Sequence, residues 1–273
     1  MGIKLKPPLL YWHLLSLDAP TVATLWTWFI ARTNHVSLPA SSLVAMTAAV
    51  WMLYAADRLL DTRGESADVL EARHHFHYRH STTFLVGIGG ASVLLAATLP
   101  SIPSEAIRLY LVLGGMVFGY FVIIHASQSA HRLPKEIAVG VCFAAAVFIP
   151  TVAREPDLRA VLLPPALLFA TLCSLNCLFI FVWEHPTGAV PPPHPVTAVM
   201  LTRLPTLTAI AGGIAALLAI FDHRVPWPIA TATTLSCAVL LVVHFSRSHY
   251  DKPTLRILAD LALLTPALLA GFL

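Results

Sequence analysis

The chain has 273 residues, 57% of them hydrophobic and 11% charged, with a formal net charge of +3 and a mean hydropathy of +0.76. Soluble domains carry about 25% charged residues, so a cytosolic globular enzyme of this length is excluded. The apolar residues recur as separate runs near 20 residues, the length that crosses a bilayer as a helix. No alternating strand pattern marks a barrel, and the expected fold class is therefore all-α, a polytopic transmembrane helical bundle.

Nine spans are expected in chain order: 10–32, 39–60, 82–100, 106–126, 136–153, 160–183, 198–220, 226–246 and 254–272. The connections are too short for independent domains, so 1–273 reads as a single integral-membrane domain. Lys4 and Lys6 precede the first span without a small-residue cleavage pattern, so no cleavable signal peptide is expected. That span carries Asp18-Ala19-Pro20, read as a local cap or kink.

The second span ends on Asp57-Arg58-Leu59-Leu60-Asp61-Thr62-Arg63. Asp57 and Asp61 are spaced i, i+4, one turn apart on one helical face. Paired carboxylates there suit Mg²⁺, which prefers oxygen ligands and bridges carboxylates to phosphates; the alternative is a solvated helix end paired with Arg58 or Arg63. The loop that follows carries Arg73, His74, His75, His77, Arg79 and His80. Such donors suit a diphosphate, while a histidine tract can also bind a transition metal or simply be solvated at the interface.

Between the fourth and fifth spans lies a compact polar loop with His131, Arg132, Lys135 and Glu136. The sixth span contains Asn176 and exits through Glu184-His185; Asn176 and Glu184 are about two turns apart, with Ile180 midway. Facing polar clusters are how helical bundles build metal and ligand sites. Cys142, Cys173, Cys177 and Cys237 all fall within spans, where an apolar setting favours inert thiols. Pro191, Pro192, Pro193 and Pro195 stiffen the next connection, and Asp260 in the ninth span is expected to face the bundle interior in a structural role.

Orientation follows from the basic residues. With the N-terminus inside, Arg32, Arg108, Arg154, Arg159 and Arg224 lie outside and the other Lys and Arg residues inside. This satisfies the positive-inside rule and places the N-terminus and the polar loops on the cytoplasmic face. Basic residues dispersed among membrane loops are not the single face of a nucleic-acid binder.

On these residues the chain resembles the UbiA superfamily of intramembrane prenyltransferases over nearly its whole length. Asp57 and Asp61 match both aspartates of that family's NxxxDxxxD motif after span two, with Leu53 at the Asn position. Its second acidic motif is degenerate, with Asn176 in the Asn place, Ile180 for the first acid and Glu184 for the last. The Arg132 to Glu136 loop is similar to the family's basic loop before span five.

The resemblance implies an Mg²⁺-dependent transfer of a polyprenyl group from an allylic diphosphate to an aromatic or lipid acceptor. Asp57, Asp61 and Glu184 would be catalytic, and Asp57, Asp61, Asn176 and Glu184 would hold metal. Arg58, Arg73, His74, Arg79, Arg132 and Lys135 would bind diphosphate, in what is expected to be a bacterial inner membrane. Two other readings stand beside it: an altered or inactive relative that binds an isoprenoid or a partner enzyme, and a transporter.

Overall fold

The computed structural model describes residues 7–61, 72–126, 134–185 and 193–272, without the side chains of 7, 61, 72–75 and 120–126. Helices and their connections account for the described residues, with no strand among them. In order they are α1 (Pro7–Leu14), α2 (Asp18–Thr33), α3 (Ala40–Asp61), α4 (Ala72–Arg79), α5 (Ser81–Thr98) and α6 (Ser104–Ala126). There follow α7 (Lys135–Arg154), α8 (Leu158–Glu184), α9 (Pro195–Thr202), α10 (Leu204–Phe221), α11 (Trp227–Phe245), α12 (Lys252–Ala262) and α13 (Pro266–Leu269). Among the described residues, seven stretches are long and apolar enough to cross a membrane: Ala40–Leu60, Ser81–Ser101, Lys135–Arg154, Leu158–Glu184, Leu204–Phe221, Trp227–Phe245 and Lys252–Phe272. The bent pair α1–α2 makes an eighth candidate, and nine crossings would require α6 to cross as well.

Three expected spans are broken or shortened, each at a proline or an acid. The first, 10–32, is two helices bent by 91° between Leu14 and Asp18. Pro20 lacks the N–H that a continuous helix would donate to Ser16; instead the Asp18 carboxylate accepts from the Ala19 N–H at 3.0 Å, and Ser16 takes a positive φ of 57°. Alone, α2 is 16 residues long, about 24 Å at 1.5 Å per residue, less than the roughly 30 Å of a hydrocarbon core. The seventh span begins at Leu204 rather than 198, because Pro205 restarts the helix after Arg203 and leaves α9 as a separate short helix. The ninth is interrupted before Pro266, yet its two parts still qualify as one crossing.

The centre of the bundle is α8, which packs against α7, α10, α11 and α12, while α2 lies between α3 and α7 and also touches α12. Close contact of α7 with α8 requires Gly140: a Cβ there would lie 2.3 Å from Ser174 Oγ and 2.5 Å from the Ser174 nitrogen. Small residues let backbones approach where lipid gives no hydrophobic drive between helices.

Carbonyls released by proline are recaptured across helices, as an apolar medium demands. Pro150 cannot bond the Ala146 carbonyl, and Tyr110 Oη of α6 donates to it at 3.0 Å. The Leu263 carbonyl at the α12–α13 break accepts from Trp26 Nε1 of α2 at 2.7 Å.

Val86 and Val93 on α5, Leu111 and Phe118 on α6, and Ile220 and Phe245 on α10 and α11 stay largely exposed. In a soluble protein so much exposed apolar surface would be untenable; here it forms the face offered to lipid. The charged contacts divide between the two ends of the bundle. Glu105 pairs with Arg159 at 2.8 Å where α6 and α8 begin, and Glu184 pairs with Arg256 where α8 ends and α12 begins.

Candidate functional site: a charged centre at the broken first helix

The ionisable residues that are buried converge where α1 breaks from α2. Asp18 is 1% exposed and all of its oxygens are engaged. Its Oδ1 accepts from the Ala19 N–H, and its Oδ2 accepts from Arg58 Nη2 at 3.3 Å and contacts His13 Nδ1 at 2.7 Å. Arg58, 5% exposed, also donates through Nη1 to the His13 carbonyl at 3.1 Å and lies over the Tyr54 ring at 5.8 Å. From α12, Asp260 comes close to both Asp18 and the Asn176 side chain of α8. One ligand atom each of His13, Asp18 and Asp260 fall within 4.8 Å of one another.

The helices that deliver these groups are locked together around them. Ser16, fully buried in the break, shares a hydrogen bond of 3.1 Å with His77 Nε2, and the His77 ring stacks on Phe84 at 4.1 Å. One histidine of the basic tract therefore ties α4 to the α1–α2 break and α5. Elsewhere, Glu136 at the start of α7 accepts from Thr197 of α9 at 3.2 Å.

The site residues expected from sequence divide between this centre and the bundle's edge. Arg58 belongs to it through Asp18, and Asn176 lies close by, near Asp260. Asp57 is exposed near the end of α3. Adjacent residues point about 100° apart around a helix, so Arg58 turns inward while Asp57 turns out.

Glu184 is held at the start of α12, with its carboxylate on the Arg256 guanidinium and its carbonyl accepting from Lys252 Nζ at 2.9 Å. Arg79 and Lys135 are exposed. The side chains of Asp61, Arg73 and His74, and the whole of Arg132, lie outside the described residues.

The residues expected from sequence leave out His13 and give Asp18 and Asp260 a structural role only. A sequence signal for all three existed: ionisable residues inside apolar segments, two acids with an arginine and a histidine to pair them. The four cysteines are free. Comparison with models of known protein families, with curated proteins and with solved structures gives no match.

Proposed function

We propose that this chain is an intramembrane prenyltransferase of the UbiA type, moving a polyprenyl group from an allylic diphosphate to an aromatic or lipid acceptor. The observation that carries the reading is the division of charge on α3: Arg58 is committed to the buried centre, and its neighbour Asp57 is exposed at the helix end. An exposed carboxylate at the rim of an apolar bundle suits a substrate with a charged head and a hydrocarbon tail. The donor chemistry of Asp57 and Asp61 fits Mg²⁺, which when bound there would neutralise a departing diphosphate. Glu184 fits less well, because a metal would have to displace Arg256.

The same reading gives the chain's own residues their parts. Lys135 and Arg79, both exposed, supply cationic groups toward a leaving diphosphate. The Glu184–Arg256 pair fixes α12 against α8 and so positions Asp260. The apolar helices hold the prenyl chain away from water that would quench an allylic cation. Nine crossings, a cytoplasmic N-terminus and the bacterial inner membrane belong to the same proposal, supported by the inner excess of basic residues.

The test is turnover of labelled allylic diphosphates of several chain lengths by purified protein with aromatic and lipid acceptors. Mg²⁺-dependent product is expected, with Asp57→Ala and Asp61→Ala each lowering it at least about 100-fold, as loss of oriented electrostatic groups does. An inactive wild type across the panel, or both variants at full rate, refutes the proposal. A transporter reading draws on a different observation, the broken first helix with a buried acid at its break, which is how secondary transporters build substrate sites. Solute uptake by proteoliposomes, lost in Asp18→Asn, would favour it instead.

A further inference from the structure

The charged centre gathers two acids around one guanidinium. The Asp18 carboxylate already has three contacts: Oδ2 meets Arg58 Nη2 at 3.3 Å and His13 Nδ1 at 2.7 Å, and Oδ1 accepts from the Ala19 N–H at 3.0 Å. A neutral imidazole satisfies the second of these by donating its Nδ1–H, so His13 needs no further proton for it. An ionised carboxylate accepts at about four places, which leaves one on Asp18. Oxygens of Asp18 and Asp260 lie within 4.8 Å of one another. The groups near Asp260 from the helices around it are His13 of α1, Asp18 of α2, Tyr54 and Arg58 of α3, and Asn176 and Cys177 of α8. The titratable residues of α11 turn elsewhere, Cys237 against Gly212 of α10 and His244 against Trp183. On α12 itself Arg256, one turn before Asp260, is taken by Glu184. Among the described residues, Arg58 is therefore the one guanidinium that serves both acids, and it is bound to Asp18.

Two ionised carboxylates this close repel strongly where water is excluded, and Asp18 is 1% exposed. One proton between them removes the repulsion, as it does in paired catalytic acids. We propose that Asp18 and Asp260 form a site for a single proton, carried by Asp260, and that this proton fastens α12 to the α1–α2 break. The Asp260 O–H donates to the acceptor place left on Asp18, and the pair keeps one negative charge, which Arg58 balances. Loss of the proton to solvent leaves two carboxylates around one guanidinium and drives α12 away from the break. Asp260 is only partly covered, which gives the proton a route to water. Because α12 packs on α1, α2 and α8, its release loosens all three contacts together. The site uses none of Asp57, Asp61 or Glu184, so it stands independently of the prenyl-transfer reading.

The experiment is infrared spectroscopy of the full chain in detergent near neutral pH, in water and in heavy water. Wild type is expected to show the carbonyl stretch of a protonated carboxyl, shifted by deuteration and lost in Asp260→Asn. Asp222→Asn, at an acid in the α10–α11 connection, is expected to keep it. The fastening is read separately from thermal unfolding across a range of pH. A folded state that keeps a proton the unfolded chain has given up loses stability as pH rises. The Tm of wild type is therefore expected to fall between slightly acid and alkaline pH by roughly 5 °C more than that of Asp260→Asn. Absence of the band in wild type overturns the proposal without recourse to any variant, and so does an undiminished band in Asp260→Asn. An imidazolium signal from His13 in nitrogen NMR near neutral pH, assigned by its loss in His13→Gln, overturns it by placing the proton on the ring. An equal fall of Tm in wild type and Asp260→Asn overturns the fastening.

Discussion

Replacing Arg58 by Met tests whether the charged centre holds the fold as its geometry requires. Methionine preserves most of the side-chain volume and removes the charge. The guanidinium is 6% exposed and the Asp18 carboxylate 2% exposed, so solvent does not screen their interaction. Removing one partner of such a pair leaves the other buried and uncompensated, which costs about 3–5 kcal/mol. The His13 carbonyl loses its donor as well.

The exposed Glu105–Arg159 pair, whose arginine is 48% exposed, serves as the contrast, since surface pairs contribute about 0–1 kcal/mol. Stability would be read from reversible unfolding in mixed micelles by far-UV circular dichroism. The design includes Asp18→Asn and the double variant. Because the two side chains touch, the double variant is expected to fall short of the summed single losses by about 2 kcal/mol. A loss below about 1 kcal/mol for Arg58→Met, or strict additivity with Asp18→Asn, would show that the pair does not hold the break together.

Two further outcomes are expected. Gly140→Ala should destabilise by about 1–3 kcal/mol, since its Cβ meets Ser174 backbone and side chain. Gly114→Ala, with nothing within 4 Å of its Cβ, should be neutral or slightly stabilising; the same unfolding assay separates them. In the α10–α11 connection, hydrogen bonds from the Arg224 side chain and backbone hold the Asp222 carboxyl below its ordinary range. Asp222 therefore favours the folded state above the ordinary carboxylate range, and that contribution disappears as pH falls through the lowered value. Carboxyl carbon shifts followed through an acid titration should move back toward the ordinary range in Arg224→Gln, and an unchanged midpoint would sink this assignment.

The membrane character of the chain and most of its helices were legible in the sequence because a lipid-facing helix imposes a one-dimensional requirement, about 20 apolar residues. Ser81–Ser101, Trp227–Phe245 and Leu158–Glu184 follow the apolar runs closely for that reason. The first span failed as a continuous helix although its hydropathy is continuous. Asp18 and Pro20 stop it, and hydropathy counts neither backbone donors nor caps.

The candidate site was only partly legible, as the residues around Asp57 illustrate. Spacing along one helix showed that Asp57 and Asp61 share a face, and it also put Arg58 on another. It could not show what lay on the other side of Arg58. That is Asp18, forty positions earlier in the chain, and beyond it Asp260 near the other end. The few charges that the composition displayed as a scarcity are drawn together by a physical rule that operates in space: in an apolar interior an ion must find its counter-ion, wherever the sequence has placed it. Sequence alone determined that this is a helical membrane protein with ionisable residues set in apolar surroundings. Which of them meet, and that Asn176 keeps an unmet oxygen beside them, was decided by the packing of α1, α2, α3, α8 and α12.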